Sequence, residues 1–111
     1  EVVMLSTIGA RTGEVRVHPL SAIPYEGDIA LVATNYGRGK VPAWAHNLRC
    51  NPEAALNYRG RDFEVVAVEV DRADHDKVFA AAIRVYAGYA RYRKKATNDI
   101  PIFRLSAKGT E

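Results

Sequence analysis

Two arginines flank a tight turn near the start of the chain. In the stretch GARTGEVRVHPL, residues 9–20, Arg11 and Arg16 stand on either side of Thr12-Gly13. A guanidinium group presents a planar fork of N–H donors that matches phosphate and carboxylate oxygens, and a turn exposes backbone N–H groups as well. These residues therefore indicate an anion-binding turn. The plainer alternative is a hairpin turn whose arginines are only solvated.

Three tyrosines recur at a spacing of three in the stretch YAGYARY, residues 86–92. On one continuous helix, at about 100° per residue, Tyr86 falls on the apolar stripe of Phe79 and is predicted to lie in the core. Tyr89 lies about a quarter-turn off that stripe and Tyr92 lies farther away. The spacing indicates an aromatic wall beside a flat ligand. The alternative for Tyr92 is an amphipathic side chain that lies along the surface.

Other kinds of site find little support in the sequence. His46 and Cys50 are four residues apart, and His18 and His75 are distant in sequence, so the residues offer at most two neighbouring metal ligands. The chain contains no G-x-S-x-G elbow, no G-x-G-x-x-G fingerprint and no Walker loop. We predict that the protein binds no metal and is not a serine hydrolase.

The composition is that of one small globular domain. The chain has 111 residues, 48% of them hydrophobic, and no apolar run of about 18 residues that would span a membrane. Its single cysteine, Cys50, fits a reducing compartment, so we expect a cytoplasmic protein. A net charge of +3 permits an anionic ligand, an acidic membrane surface or nucleic acid. Because the sequence starts at Glu1, we also expect that the natural N-terminus lies upstream.

The elements that position these residues are mostly strands. Alternating or β-branched runs predict strands over residues 2–7, 15–24, 29–34, 55–58, 62–70 and 100–105, with a turn at residues 26–28. A glycine-rich loop over residues 35–41 leads into a short helix that begins at Pro42 and ends at Asn51-Pro52. Acidic residues at the start and basic residues at the end predict one long helix over residues 71–95. This order predicts an α+β, mainly β fold: a small antiparallel barrel with one short and one long helix packed outside.

Four motifs occur in an order that is similar to one known family. They are Gly9 to Arg16, Pro42 to Pro52, Tyr86 to Tyr92, and Ile100-Pro101-Ile102. Together they resemble the deazaflavin-dependent nitroreductase family, actinobacterial oxidoreductases that use coenzyme F420. The resemblance spans nearly the whole chain. It implies a split β-barrel of the FMN-binding type, with residues 1–111 forming a single F420-binding domain.

The resemblance also assigns roles to residues. Basic groups at the turn would hold the phosphate and glutamate tail of F420, and the loop and short helix would approach the deazaflavin. The cofactor-binding residues implied in this way are Arg11, Thr12, Gly13, Arg16, Thr34, Asn35, Lys40, Pro42, Ala43 and Trp44. The three tyrosines, Tyr86, Tyr89 and Tyr92, would line the acceptor pocket. The hydroxyl of Tyr89 or Tyr92, or a water molecule, would serve as a hydrogen-bond or proton donor.

The activity that the resemblance implies is hydride transfer from reduced F420 to an electron-poor acceptor: a quinone, a nitroaromatic or an activated alkene, with a quinone favoured. The resemblance is also compatible with a homodimer and with association with the inner face of the plasma membrane. Three alternatives stay open: a non-catalytic carrier of F420 or lipid, an FMN-dependent relative, and a basic nucleic-acid-binding barrel. The last is disfavoured because the acidic residues from Asp71 to Asp76 interrupt the positive charge, so we expect no nucleic-acid partner.

Overall fold

A computed structural model of the chain describes residues 2–34, 40–95 and 100–108. Seven strands and three α-helices make up the structure. The strands are β1 (Val2–Ile8), β2 (Val15–Ser21), β3 (Ile23–Tyr25), β4 (Asp28–Val32), β5 (Glu53–Tyr58), β6 (Arg61–Glu69) and β7 (Ile102–Ala107). The helices are α1 (Ala43–Cys50), α2 (His75–Val85) and α3 (Gly88–Lys95), and a short 3-10 turn (Arg72–Asp74) precedes α2.

All seven strands form one antiparallel sheet in the order β2-β1-β5-β6-β7-β4-β3. The sheet curls into a half-barrel, and the helices pack against it. The predicted fold class, a mainly β split barrel with outer helices, is confirmed. Strand order differs from sequence order because β5, β6 and β7 separate the β1–β2 hairpin from the β3–β4 hairpin.

Two apolar clusters hold the sheet and helices together. Alternation along β1 points Val3, Leu5 and Thr7 inward, where they are almost fully buried. The first cluster joins Val3 and Leu5 to Trp44 and Leu48 of α1, so it fixes the helix that follows the loop. The second cluster packs α2 and Tyr89 of α3 against β3, β4 and β7.

The predicted long helix is divided in two, which corrects the sequence prediction over residues 71–95. Helix α2 ends where the N–H of Tyr86 bonds the carbonyl of Ala82 at 2.9 Å, and Tyr86 itself is extended, with φ −151°. The next helix begins with i→i+3 bonds, Tyr89 N–H to Tyr86 and Ala90 N–H to Ala87, each at 3.2 Å. The two residues between the helices change the phase of the helical pattern, so side chains after the break face new directions.

Smaller differences concern the strand ends. The predicted strand over residues 15–24 bends at the buried Ala22 and continues as β3, and the other strands are shifted by up to two residues. The turn at residues 26–28 is confirmed, with positive φ at Glu26 and Gly27. The predicted loop position Asn35 lies outside the described residues. None of the described helices is long and apolar enough to cross a membrane.

Candidate functional site

The arginine-bearing turn between β1 and β2 is closed by its own backbone. The N–H of Gly9 donates to the carbonyl of Glu14 at 2.7 Å, and the N–H of Gly13 donates to the carbonyl of Gly9 at 3.0 Å. Gly13 has a φ of +72°, a left-handed conformation in which glycine avoids the strain of a Cβ. The hydroxyl oxygen of Thr12 accepts a hydrogen bond from the N–H of Glu14 at 3.2 Å. The turn is therefore a defined loop that fixes the backbone from which Arg11 and Arg16 project.

A side chain of α1 ties this turn to the helix. Asn47 is buried, with 6% of its surface exposed, and its Oδ1 accepts the N–H of Ala10 at 2.9 Å. Its Nδ2 donates to the hydroxyl of Thr7 at 3.0 Å, which is buried as well. Because both ends of the amide are satisfied inside the protein, Asn47 sets the position of the turn relative to α1.

Both arginines lie at one cavity of about 620 Å³. This cationic cavity is lined by Gly9, Ala10, Arg11, Thr12, Arg16, His18, Ala43, His46, Asn47 and Cys50. Arg16 also pairs with Glu14 at 3.1 Å, but both side chains are more than half exposed, so this pair contributes little to stability. The cavity is large enough for the polar part of a cofactor and carries two fixed positive charges.

A second cavity, of about 510 Å³, opens beside the first. This aromatic cavity is lined by Val2, His18, Pro19, Leu20, Ser21, Leu31, Val32, Thr34, Pro42, Ala43, Trp44, Tyr86, Tyr89 and Tyr92. His18 and Ala43 line both cavities, so the two are neighbours along one groove. Trp44 is held in place by the core, since its ring meets that of Phe103 edge-to-face at 6.0 Å between centroids.

The three tyrosines form a mutual cluster on the wall of the aromatic cavity. Their ring centroids are 5.9 Å (Tyr86–Tyr89), 6.1 Å (Tyr86–Tyr92) and 6.0 Å (Tyr89–Tyr92) apart. Such edge-on and tilted contacts are the favoured geometries for aromatic pairs. The break between α2 and α3 brings the rings together, because Tyr86 lies outside both helices and folds back over α3.

The burial of the tyrosines differs from the sequence prediction. Tyr86 was predicted to lie in the core, and this is wrong: it is 51% exposed. Tyr89 is instead the buried member, at 6% exposure, and Tyr92 packs against the same core cluster rather than lying on the surface. The helix break causes the exchange, because it places Tyr86 before the first turn of α3 and turns Tyr89 toward β3 and β7.

Gly88, the first residue of α3, allows Tyr86 to fold back. A Cβ added at Gly88 would overlap the outer ring atoms and the hydroxyl of Tyr86. The sequence places this glycine inside a continuous helix, whereas the structure places it at the break. The absence of a side chain at Gly88 is therefore a condition for the tyrosine cluster.

His18 is the polar group at the junction of the two cavities. Its Nε2 is buried and has no hydrogen-bond partner within the part of the chain that the structure describes. Burial, and secondly the nearby charge of Arg16, lower the pKa of His18 from 6.5. The imidazole is therefore neutral at physiological pH, and its buried Nε2 lies beside both cavities.

The pKa shift of His18 predicts a pH dependence of stability. A histidine whose pKa is lower in the folded than in the unfolded state contributes stability that is fully present above 6.5 and is lost as the pH falls through the folded pKa. We expect the melting temperature to fall more steeply between about pH 7.5 and about pH 5 in the wild type than in His18→Asn. Equal slopes for wild type and His18→Asn would contradict this assignment.

The structure brings together most of the residues that the sequence singled out. Arg11, Thr12 and Arg16 line the cationic cavity, while Thr34, Pro42, Trp44 and the three tyrosines line the aromatic cavity and Ala43 lines both. Gly13 shapes the turn but lines neither cavity, and Lys40 is exposed and is also absent from both linings. Across residues 2–34, 40–95 and 100–108, no three His, Cys, Asp or Glu side chains are grouped so as to hold a metal ion.

Sequence reasoning gave no role to His18 or Asn47. One signal in the sequence could have identified His18: strand alternation places it on the same side of β2 as Arg16. Asn47 was part of a quoted motif, but its bonds to Thr7 and Ala10 span residues about 40 apart, which a local pattern does not reveal.

Comparison with known proteins gives a consistent result. The model of the F420H(2)-dependent quinone reductase family matches residues 1–106. An F420H(2)-dependent quinone reductase of Mycobacterium tuberculosis is 30% identical over 111 residues, covering 95% of this chain and 72% of the relative. A putative F420H(2)-dependent quinone reductase of Mycobacterium bovis matches to the same extent.

Solved structures are similar over the same range. The structure of an F420-H2-dependent reductase (FDR-A) matches with a TM-score of 0.85 and 28% identity, covering 95% of this chain and 93% of the other. A structure described as a domain-swapped dimer gives the same TM-score and identity and covers 95% and 79% of the two chains. The heme storage protein HutZ of Vibrio cholerae, at 17% identity and a TM-score of 0.72, shares the fold alone.

Proposed function

Because the chain belongs to the F420H(2)-dependent quinone reductase family and is therefore an F420-dependent oxidoreductase, we propose that it transfers a hydride from reduced F420 to a quinone. The main support is that a cationic cavity and an aromatic cavity meet at His18 and Ala43. A ligand with an anionic tail at one end and a flat ring at the other matches this arrangement. We further propose that residues 1–111 form one F420-binding domain.

The donor groups present fit F420. Arg11 and Arg16 offer charged N–H groups for the phosphate and glutamate tail, and the turn that carries them is already closed, so little ordering is required on binding. His18 offers a neutral nitrogen that lacks a partner within the described residues, at the junction of the two cavities that a linker would cross. Thr34, Pro42 and Ala43 line the aromatic cavity and would hold the ring. Asn35 and Lys40 complete the set of residues that we propose to contact F420.

The tyrosine cluster is the proposed acceptor wall. When bound, the reduced cofactor supplies the hydride, and the chain supplies position and electrostatics. Reduction of a quinone places negative charge on its oxygen, so an O–H donor nearby would stabilise the transition state. Tyr92 is half-buried in the cavity wall and Tyr89 lies beneath it, so the hydroxyl of Tyr92 is the preferred donor, with that of Tyr89 as second choice.

Substitution of Gly88 should disturb the acceptor wall without touching the cofactor. In Gly88→Ala the added methyl displaces the Tyr86 ring, which is free to move because it is half exposed. Loss of ring contacts worth about 0.5–1.5 kcal/mol each should raise the KM for a quinone by roughly two- to tenfold. Steady-state kinetics, with F420 affinity measured in parallel as the control, tests this expectation.

A double-mutant cycle isolates the cause of that effect. If Gly88→Ala acts by moving the Tyr86 ring, it should add nothing to the effect of Tyr86→Ala, because the ring is already absent. Additive increases in KM would mean that Gly88 acts through the backbone of α3 and would refute the role given to Tyr86.

The proposed acceptor is tested with a panel. The catalytic efficiency, kcat/KM, should be highest for a water-soluble quinone and lower for a nitroaromatic and for an activated alkene. FMN should bind at least about tenfold more weakly than F420, because it lacks the glutamate tail that the arginines would hold. With the quinone as acceptor, Tyr92→Phe should lower kcat without changing the affinity for F420. A nitroaromatic or alkene that is turned over more efficiently than every quinone would overturn the acceptor proposal.

Assembly and location follow as proposals of the same kind. A relative of 28% identity is described as a domain-swapped dimer, and this supports a homodimer here. A quinone acceptor and the net charge of +3 are compatible with a cytoplasmic protein that associates with an acidic membrane surface. Vesicle sedimentation with and without anionic lipid tests that association.

A further inference from the structure

One imidazole ring borders both cavities of the groove. His18 lies on β2 and lines the cationic and the aromatic cavity alike, and its Nε2 is buried. Its partner across the sheet is Leu5 of β1, which is fully buried, so the neighbouring strand offers the ring no polar side chain at this position. The ring is therefore held where the cavity of the arginines meets the cavity of the tyrosines.

No carboxylate lines either cavity in the part of the chain that the structure describes. The titratable and charged side chains that share these cavities with His18 are Arg11 of the turn, Arg16 of β2, His46 and Cys50 of α1, and the tyrosines Tyr86, Tyr89 and Tyr92. Glu14 pairs with Arg16 at 3.1 Å but is absent from both linings. A positive charge on His18 would thus have cations nearby and no carboxylate in either cavity to balance it.

An anionic ligand would change the charge balance around His18. In the ligand-free protein, burial and the charge of Arg16 hold the pKa of His18 below its ordinary value of 6.5, so the ring is neutral. A negative charge close to the ring stabilises the imidazolium form, and a partly buried site is poorly screened by water. The phosphate and the carboxylates of F420 are charges of this kind.

We propose that His18 takes up a proton when F420 binds and so becomes a third cation of the cofactor site. This role rests on the proposed binding of F420 in the groove, and it makes the proton a second ligand that binds together with the cofactor. Protonation turns both ring nitrogens into donors, and a charged donor forms stronger hydrogen bonds to an anionic tail than a neutral one does.

The direction of the pH dependence follows from linkage. If binding takes up a proton, the affinity for F420 falls as the pH rises from the pKa of His18 in the free protein to its higher pKa in the complex. Between about pH 6 and about pH 8, the dissociation constant of the wild type should therefore rise at least about threefold more than that of His18→Asn. A merely structural role of the ring would lower the affinity of the variant without changing this pH profile.

Calorimetric titration with F420, in buffers that differ in ionisation enthalpy, measures the proton uptake directly. F420 carries titratable groups of its own, so the quantity to compare is the difference between wild type and His18→Asn. At about pH 6.5, the wild type should take up at least about 0.3 proton more per bound F420 than the variant. His46 should contribute less than His18, because its side chain is exposed and water weakens the effect of the ligand charge on it.

His75→Asn is the matched control. His75 lies at the start of α2, where its Nε2 is 3.2 Å from the carbonyl oxygen of Val70, and it lines neither cavity. Its substitution also removes one histidine but should leave the proton uptake at the wild-type value. NMR titration of the histidine rings of the wild type, with and without F420, requires no variant to fold: the His18 ring should titrate at a higher pH in the complex.

The outcomes separate the role of His18 from the proposed function. If F420 does not bind to the wild type, the cofactor site itself is wrong. If F420 binds but the His18 ring titrates at the same or a lower pH in the complex, or if wild type and His18→Asn take up equal numbers of protons, only the proton-binding role is overturned. A loss of uptake in His75→Asn as large as that in His18→Asn would overturn it as well.

Discussion

Arg11→Ala and Arg16→Ala should each weaken F420 binding by about 1.5–3 kcal/mol, or roughly ten- to 150-fold, because each removes a charged hydrogen bond to the anionic tail. The loss should be larger for Arg16→Ala. Arg16 lies 3.1 Å from the carboxylate of Glu14, and its removal leaves that negative charge facing the tail. Isothermal titration or fluorescence titration with F420 measures both effects.

The arginine prediction has a charge-matched control. Arg61 is exposed at the start of β6, so Arg61→Ala changes the net charge equally but should leave F420 affinity unchanged. Melting temperatures should also be unchanged in Arg11→Ala and Arg16→Ala, because both side chains are exposed. Raising the salt concentration should weaken wild-type binding by screening. If neither added salt nor either substitution changed the affinity for F420, the two arginines would be merely solvated.

Tyr89→Ala should be the most destabilising of the three tyrosine truncations. Tyr89 is 6% exposed and packs in the second core cluster, so its removal should lower the free energy of unfolding by about 3–5 kcal/mol, as for other buried aromatic residues. Tyr86→Ala should cost much less, because that ring is half exposed. Urea unfolding of the ligand-free protein measures both values.

Which of the two truncations costs more stability distinguishes a continuous helix from a broken helix over this segment. A continuous helix would bury Tyr86 and leave Tyr89 off the apolar stripe, which is the sequence prediction. The broken helix reverses the order. If Tyr86→Ala were the more destabilising substitution, the break at residues 86 and 87 would be wrong, together with the tyrosine cluster that depends on it.

Local patterns were sufficient to predict much of the fold. The strands could be predicted because alternation and β-branched runs report burial directly, and the turn at Thr12-Gly13 could be predicted because Gly13 permits positive φ. The resemblance in motif order supplied the cofactor and the split barrel. The structure then places Arg11, Thr12 and Arg16 at one cavity and Trp44 at the adjoining one.

The helix break could not be predicted from periodicity. A helical projection assumes a constant rotation per residue, and Val85 to Ala90 contains no proline that would mark an interruption. Gly88 was the only local signal, and it is equally compatible with a bend or a close approach. The structure contains both, since α3 begins at Gly88 and the ring of Tyr86 packs over it.

The role of Asn47 required the tertiary structure. Its amide joins two segments that are about 40 residues apart in sequence, and an asparagine inside a short helix would otherwise be read as a surface residue. His18 is a similar case, because the burial of its Nε2 depends on how β2 lies beside both cavities.

The bonds of Asn47 also bear on the length of ligand that the groove accepts. One side chain of α1 holds the arginine turn, while the same helix begins with Ala43 and Trp44 at the aromatic cavity. The distance from the charged end of the groove to its ring end is thus set within a single short helix. A molecule that is to reach both ends must have a linker of matching length. In the binding mode proposed above, a shorter flavin would reach only one end, so we expect the groove to discriminate between cofactors by molecular length as well as by charge.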